Sequence, residues 1–537
     1  MNIALEQLPY AARRQPVFAT QGMVATSQPL AAQAGLAVLR RGGNAVDAAL
    51  ATAITLTVVE PASCGMGGDA FAIVWDGQRL HGLNGSGRAP ARISLAAARA
   101  NGRTHMPESG WMPTTVPGAP AAWHALHARF GRLPFADLFA DAIGYAEAGY
   151  PVSPRSARNW GFAYTRFAQE LQPEAFAHWA ATFAPNGHAP TPGELWRSPD
   201  MARSLQQLAE SGATAFYTGD LAERIGAFAE KTGGWLRAAD LAAHASTWVE
   251  PIRVRYRGYD VWEIPPNGQG LAALLALNIL ENFDLASIPR DSVQSYHLQL
   301  EAMKLAYTDA HRYIADPDHA QVPTAELLSP AYATRRSALI GREALLPAPG
   351  EPLKSDTAYL CTADADGMMV SFIESTFDSF GSGIVIPGTG IALQNRGAGF
   401  SLDAAHPNVL APGKRPYHTI IPGFLTQNGV PVGPFGVMGG HMQPQGHVQM
   451  MVNMLDYGLN PQASLDAPRW SWWGERYAKL EAHADPAIAA GLLACGHALE
   501  VDTDSAPFGC GQIIWRMSNG VYVAGSDGRT DGCAIGY

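Results

Sequence analysis

The sequence predicts an α/β protein, and three observations carry the prediction. The N-terminal two-thirds reads mostly helical. The C-terminal third reads as short strands parted by glycine turns. A loop broken by prolines and glycine, Leu346–Ser355, joins the two near residue 356. With 537 residues, 47% hydrophobic and 16% charged, the chain has enough apolar side chains for a sizeable core. Its net charge of −10 and lack of a basic patch argue against a nucleic-acid partner.

The elements follow in order. Residues 1–18 carry Glu6, Arg13 and Arg14 and no apolar run that would serve a signal peptide. Ser27 reads as an N-cap with Pro29 behind it, and Leu30, Leu36, Val38 and Leu39 supply a helix that Gly42-Gly43 stops. Asn44 caps a second helix, Ala45–Val59, apolar nearly all round and therefore expected to be buried. It contains the most apolar stretch of the chain, which is too short to span a bilayer. After Cys64-Gly65-Met66-Gly67-Gly68-Asp69 comes a strand-like run, Ala70–Trp75. Residues 90–345 read mostly helical, most clearly Ser292–Asp316. Beyond the loop, Thr357–Ala363 and Met368–Thr376 read as strands joined by the turn Asp364–Gly367. Ile384–Ile386 and Ile391–Gln394 flank a second turn.

Five cysteines (Cys64, Cys361, Cys495, Cys510 and Cys533), odd in number and never CxxC, suggest neither a disulfide framework nor a zinc ribbon. A soluble, cytoplasmic protein is expected. No GxGxxG opens a helix, and no P-loop or GxSxG elbow occurs, so no cofactor is expected. His418, His441 and His447, and the i, i+4 pair His297 and Glu301, do not match metal-ligand patterns, so no metal is expected.

Thr357 heads a strand just after the loop. That is an ordinary place for a threonine. It is also where a chain cut before the Thr would free an α-amine to act as base for the hydroxyl. Gly439-Gly440 precede a helix expected to start near Pro444, and the pair reads equally as a tight turn or as a source of N–H groups for an oxyanion.

The blocks Gly22–Phe71, Thr357–Ile384 and Gly436–Trp470, in that order, resemble the gamma-glutamyltransferase family of N-terminal-nucleophile hydrolases. The resemblance implies a four-layer αββα sandwich built from two subunits of one precursor. The cut would fall between Asp356 and Thr357, giving 1–356, the helix-rich large subunit, and 357–537, the strand-rich small subunit. It further implies Thr357 as nucleophile and, through its free amine, as base; Ser375 beside it; and Gly439 and Gly440 as oxyanion hole. The processed pair would be free to associate into a homo-oligomer.

The sequence departs from the family where a γ-glutamyl group is read. The matched positions hold Ser86 for an Arg, His418 and Thr419 for a Ser pair, Phe377 for an Asn, and Arg396 and Gly399 for a Gln and an Asp. A buried ammonium needs a carboxylate or a set of acceptors, and Arg396 and Gly399 offer neither. A small anionic amide fits better, with Arg396, and Arg88 or Arg415 if they face inward, clamping its carboxylate. This pattern resembles the oxamate amidohydrolases and glutaryl-type acylases of the family. Two other readings stay open: a γ-glutamyl hydrolase or transferase acting on glutathione or other γ-glutamyl amides, and an unprocessed binding protein.

Overall fold

The computed structural model describes residues 14–347 and 356–537. Most of the expected loop, 348–355, falls outside that range. Fourteen strands form two seven-stranded sheets. In chain order they are β1 (Val17–Ala19), β2 (Gly22–Thr26), β3 (Asp69–Trp75), β4 (Leu80–Asn84), β5 (Thr247–Val249), β6 (Ile252–Tyr256) and β7 (Tyr259–Glu263), then β8 (Asp356–Asp364), β9 (Met369–Phe377), β10 (Gly423–Gln427), β11 (Val430–Met438), β12 (Cys510–Arg516), β13 (Tyr522–Ser526) and β14 (Cys533–Gly536). The first sheet runs β1-β13-β12-β11-β10-β7-β6 and the second β14-β2-β8-β9-β3-β4-β5. Every neighbouring pair in both is antiparallel.

Side-chain alternation on β8 shows how the layers pack. Tyr359, Cys361 and Ala363 join a core with Phe424, Met438 and Ile514 of the first sheet. Ala358 and Leu360 point the other way, into a core shared with the helices α1 (Pro29–Arg40) and α2 (Ala45–Val59). The other face of the first sheet meets helices Gly270–Leu280 and Val293–Tyr313. Among the described residues no helix is long and apolar enough to cross a membrane.

The α2 helix matches its expected span, with Asn44 and Asp47 in a reciprocal capping box and every residue buried. The cap of α1 differs: Gln28 accepts the Leu30 and Ala31 N–H groups, and the Ser27 hydroxyl donates to Glu60 instead. The largest correction lies within 90–345, where β5, β6 and β7 interrupt the helices. The alternation Ile-Arg-Val-Arg-Tyr and the turn Arg257-Gly258, both at positive φ, make β6–β7 a hairpin.

Candidate active site

Thr357 sits fully buried at a register shift, where Asp356 pairs with Phe377 and Ala358 with Glu374. Its hydroxyl donates to Ser375 Oγ at 3.3 Å and accepts from Gln443 Nε2 at 3.4 Å. Ser375 Oγ also accepts the N–H of Phe377 at 2.8 Å. Phe377 holds a φ of 81°, a left-handed conformation that a bulky side chain adopts only when its surroundings impose it. Its ring lies 4.4 Å from the guanidinium carbon of Arg396.

β11 ends at Met438 in a glycine turn. Gly439 and Gly440 have φ of 122° and 59°, and Met442–Met451 follows as a helix. It starts two residues earlier than Pro444, the expected beginning. Gln443 in its first turn reaches back to Thr357, and its Oε1 accepts the Ile421 N–H. Gln269 Nε2 binds the carbonyls of both Gly440 and Thr419, fixing the glycine turn to the segment that carries His418 and Thr419.

Arg396 is fully buried. Nη1 donates to Thr419 Oγ1 at 2.6 Å, while Nε and Nη2 have no partner. Burial pulls its pKa down to about 9 against the pull of the Asp69 and Asp378 carboxylates. Asp69 heads β3 opposite Ser375. Its Oδ1 accepts from Gly87 N, Gly118 N and Gln394 Nε2, and its Oδ2 lies 3.0 Å from His418 Nε2. Burial raises the Asp69 carboxyl to about 7, although Arg396 and these hydrogen bonds favour its ionised form. His418 Nδ1 accepts the Ile420 N–H, which leaves Nε2 to donate to Asp69. Burial, with Arg396 and Arg415 nearby, keeps this ring neutral by holding its pKa well below the usual value. A buried arginine with two unpaired donors is costly unless an anion completes it.

The structure thus brings together Thr357, Ser375, Phe377, Arg396, His418, Thr419 and the glycine pair. Arg88 and Arg415 do not join them. Arg88 pairs with Asp316 and Asp318, and Arg415 binds Ser86 O and Thr247 Oγ1. Ser86 is tied to Asn84 and Asn267. A Cβ on Gly399 would meet Tyr417 O at 2.8 Å, so a side chain there needs the backbone to shift. Asp69, Gln443 and Gln269 were not singled out from sequence; Asp69 and Gln443 lie inside the resembling blocks. Beside the glycine pair opens a cleft of about 510 Å³, bordered by Gly439, His441 and Asp378.

Away from this site, His297, Glu301 and His497 bring ligand atoms within 4.8 Å of one another. Lys304 Nζ sits 2.7 Å from Glu301 Oε1 and 3.3 Å from His497 Nδ1, so an internal ammonium already supplies the positive charge. The group holds the backbone of Gly341 and Leu345.

Comparison with known proteins places the whole chain in a family. The family model described as gamma-glutamyltranspeptidase matches residues 31–537. The glutathione hydrolase-like YwrD proenzyme of Bacillus subtilis is 39% identical over 97% of this chain and 99% of its own. The oxamate amidohydrolase proenzyme of Klebsiella pneumoniae is 36% identical over 96% and 99%. The crystal structure of cephalosporin acylase from Bacillus halodurans superposes with a TM-score of 0.96 at 53% identity, covering 100% and 99% of the two chains. The chain belongs to the gamma-glutamyltranspeptidase family. It is an enzyme of the amide hydrolase and acyltransferase kind.

Proposed function

We propose that this chain cuts itself between Asp356 and Thr357, uses Thr357 as nucleophile, and hydrolyses an amide whose acyl half carries a carboxylate and no ammonium. In this reading the packed layers are an αββα sandwich, and 1–356 and 357–537 remain one catalytic unit. The observation that carries the reading is Arg396: a buried guanidinium with two unpaired donors, stacked on Phe377, whose N–H donates to the same Ser375 hydroxyl that accepts from Thr357. It suits a bidentate carboxylate. The relative named for oxamate, a carboxylate beside an amide with no ammonium, supports an acyl group of this kind.

The chemistry then needs no group beyond the chain. The freed α-amine takes the proton from Thr357 Oγ1, which attacks the amide carbon. The carbonyl oxygen becomes an oxyanion beside the N–H groups of Gly439 and Gly440. The C–N bond breaks as the leaving amine takes the proton, leaving an ester on Oγ1. Water, deprotonated by the same amine, attacks the ester and restores the threonine. Ser375 and Gln443 hold Oγ1 in position throughout.

An intact-mass spectrum of wild type beside Thr357→Ala is the test. Two fragments in wild type and one uncut chain in the variant are expected. Amine release from oxamate, glutaramate and glutathione then ranks the acyl groups, with the carboxylate amides lacking an ammonium expected to lead. Preference for glutathione would favour the γ-glutamyl reading instead. One uncut chain in both samples would leave a binding protein.

A further inference from the structure

We propose that Phe377 is a positioning residue that sets acyl specificity. Its ring carries the Arg396 charge face-on, so the guanidinium keeps its in-plane donors for the substrate carboxylate. The proposal rests on the reading of Arg396 as the seat of that carboxylate.

The backbone gives the first observation. Phe377 ends β9, and Asn395 holds the residues on both sides of it. The Asn395 N–H donates to Thr376 O at 3.2 Å. Its Oδ1 accepts the Asp378 N–H at 3.0 Å, and its Nδ2 donates to Asp378 Oδ2 at 2.8 Å. Between these fixed points Phe377 takes its φ of 81°. Glycine or asparagine adopts such a conformation at little cost, and a phenyl side chain does not. Asn395 immediately precedes Arg396, so the clasp that turns Phe377 also sets where Arg396 begins. Packing gives the second observation. Phe377 is 1% exposed, yet it joins none of the four hydrophobic clusters of the described residues. Its ring instead meets the Arg396 guanidinium, whose carbon stands over it at 4.4 Å.

The chemistry follows from how the two kinds of partner use a guanidinium. A carboxylate takes its N–H donors, which lie in the plane of the group. An aromatic ring attracts the charge through its face and takes no donor, and the attraction is strongest where water is excluded. Arg396 is fully buried, gives Nη1 to Thr419, and keeps Nε and Nη2 unpartnered. Asp69 and Asp378 both pull on its charge. Without the ring, either carboxylate would draw the guanidinium into a pair and consume the donors that the substrate needs. A neutral acyl group leaves those donors stranded; an anion completes them. The Phe377 N–H, which holds Ser375 Oγ beside Thr357, belongs to the backbone and survives any change of ring. Weakening the ring should therefore act on KM more than on kcat.

Fluorination tests the ring while keeping its shape. Phe377 is replaced in the full-length chain by mono-, di- and trifluorophenylalanine through nonsense suppression. The processed enzymes are assayed on glutaramate and on valeramide, in which a methyl group stands for the carboxylate. Wild type should prefer glutaramate. Each added fluorine should raise the glutaramate KM, by about tenfold at three, with kcat changed less. The ratio of kcat/KM for glutaramate to that for valeramide should fall in step. Phe377→Leu, apolar but without a ring, should show the same loss of preference. Phe377→Tyr should keep the ratio within about twofold of wild type. A ring that only filled space would slow both amides alike and leave the ratio unchanged. A flat fluorine series, or full preference in Phe377→Leu, overturns the proposal and leaves the Arg396 reading standing. Equal kcat/KM for the two amides in wild type overturns the Arg396 reading, and the proposal with it.

Discussion

At the scale of single residues, the site is a set of unpaired or neutralised buried groups arranged around one hydroxyl. Arg396 is the sharpest case. Its charge is supported from a distance by Asp69 and Asp378, and its position by Thr419 and the Phe377 ring. Arg396→Ala should lower kcat/KM for carboxylate amides by roughly 100-fold, the scale of losing one side of a buried charge pair. Fragment formation in the same variant, read by mass, should be unchanged. Full amidase activity would show that the carboxylate is held elsewhere. His311 offers a pH test. It packs against His441, Tyr307 and Tyr417, its Nε2 has no partner, and burial holds its pKa down to about 4. The unfolded ring takes a proton near pH 6.5, which the folded one refuses until about pH 4. Stability should therefore fall as pH drops through that window, by up to about 1.4 kcal/mol per pH unit from this group. His311→Gln should flatten that part of the curve of urea midpoint against pH. An unchanged slope would mean that the ring titrates alike in both states.

At the scale of elements, the site hangs on helix ends and strand ends that other parts of the chain complete. Asp47 does this for α2. Besides capping Asn44 N, its carboxylate accepts the N–H groups of Arg132 and Leu133. Asp47→Ala strands three donors and should cost about 2–4 kcal/mol in urea unfolding, more than an ordinary cap. Gly68 is a second point of closure. A Cβ there would lie 2.5 Å from Ser375 O, so Gly68→Ala should disturb the β3–β9 pairing and lower Tm by several degrees. The same contrast between local and distant partners sets what was legible in the sequence. The α2 helix was readable from its cap and apolar surface because both are local. The β6–β7 hairpin carried a local alternation, hidden among long helical stretches. Asp69 gave no local signal, since its partners stand 18 to 349 positions away. Arg88, Arg396 and Arg415 look alike in a sequence, and only folding shows that acidic partners or carbonyls claim two of them while the third keeps free donors.

At the scale of the whole molecule, the two sides of the 356–357 bond do not form separate bodies. The second sheet sets β8 and β9 between β2 on one side and β3 on the other; the first sets β10 to β13 between β1 and β7. Each sheet alternates between early and late chain. The fragments made by the proposed cut should therefore elute as one species under native conditions and part only in denaturant. Expressed alone, 357–537 should be insoluble, because β8 then exposes the edge that β2 covers.

This interleaving gives the peptide bond at 356–357 a role that the proposed cut would end. While intact, it makes β8 and β2 parts of one chain, and their meeting is intramolecular, with a rate independent of protein concentration. Once the bond is gone, the same pairing becomes an encounter between two molecules. Denatured mature enzyme should then regain its structure in a second-order step that slows on dilution, whereas the Thr357→Ala chain should refold in a first-order one. The native state would thus be easier to reach than to recover.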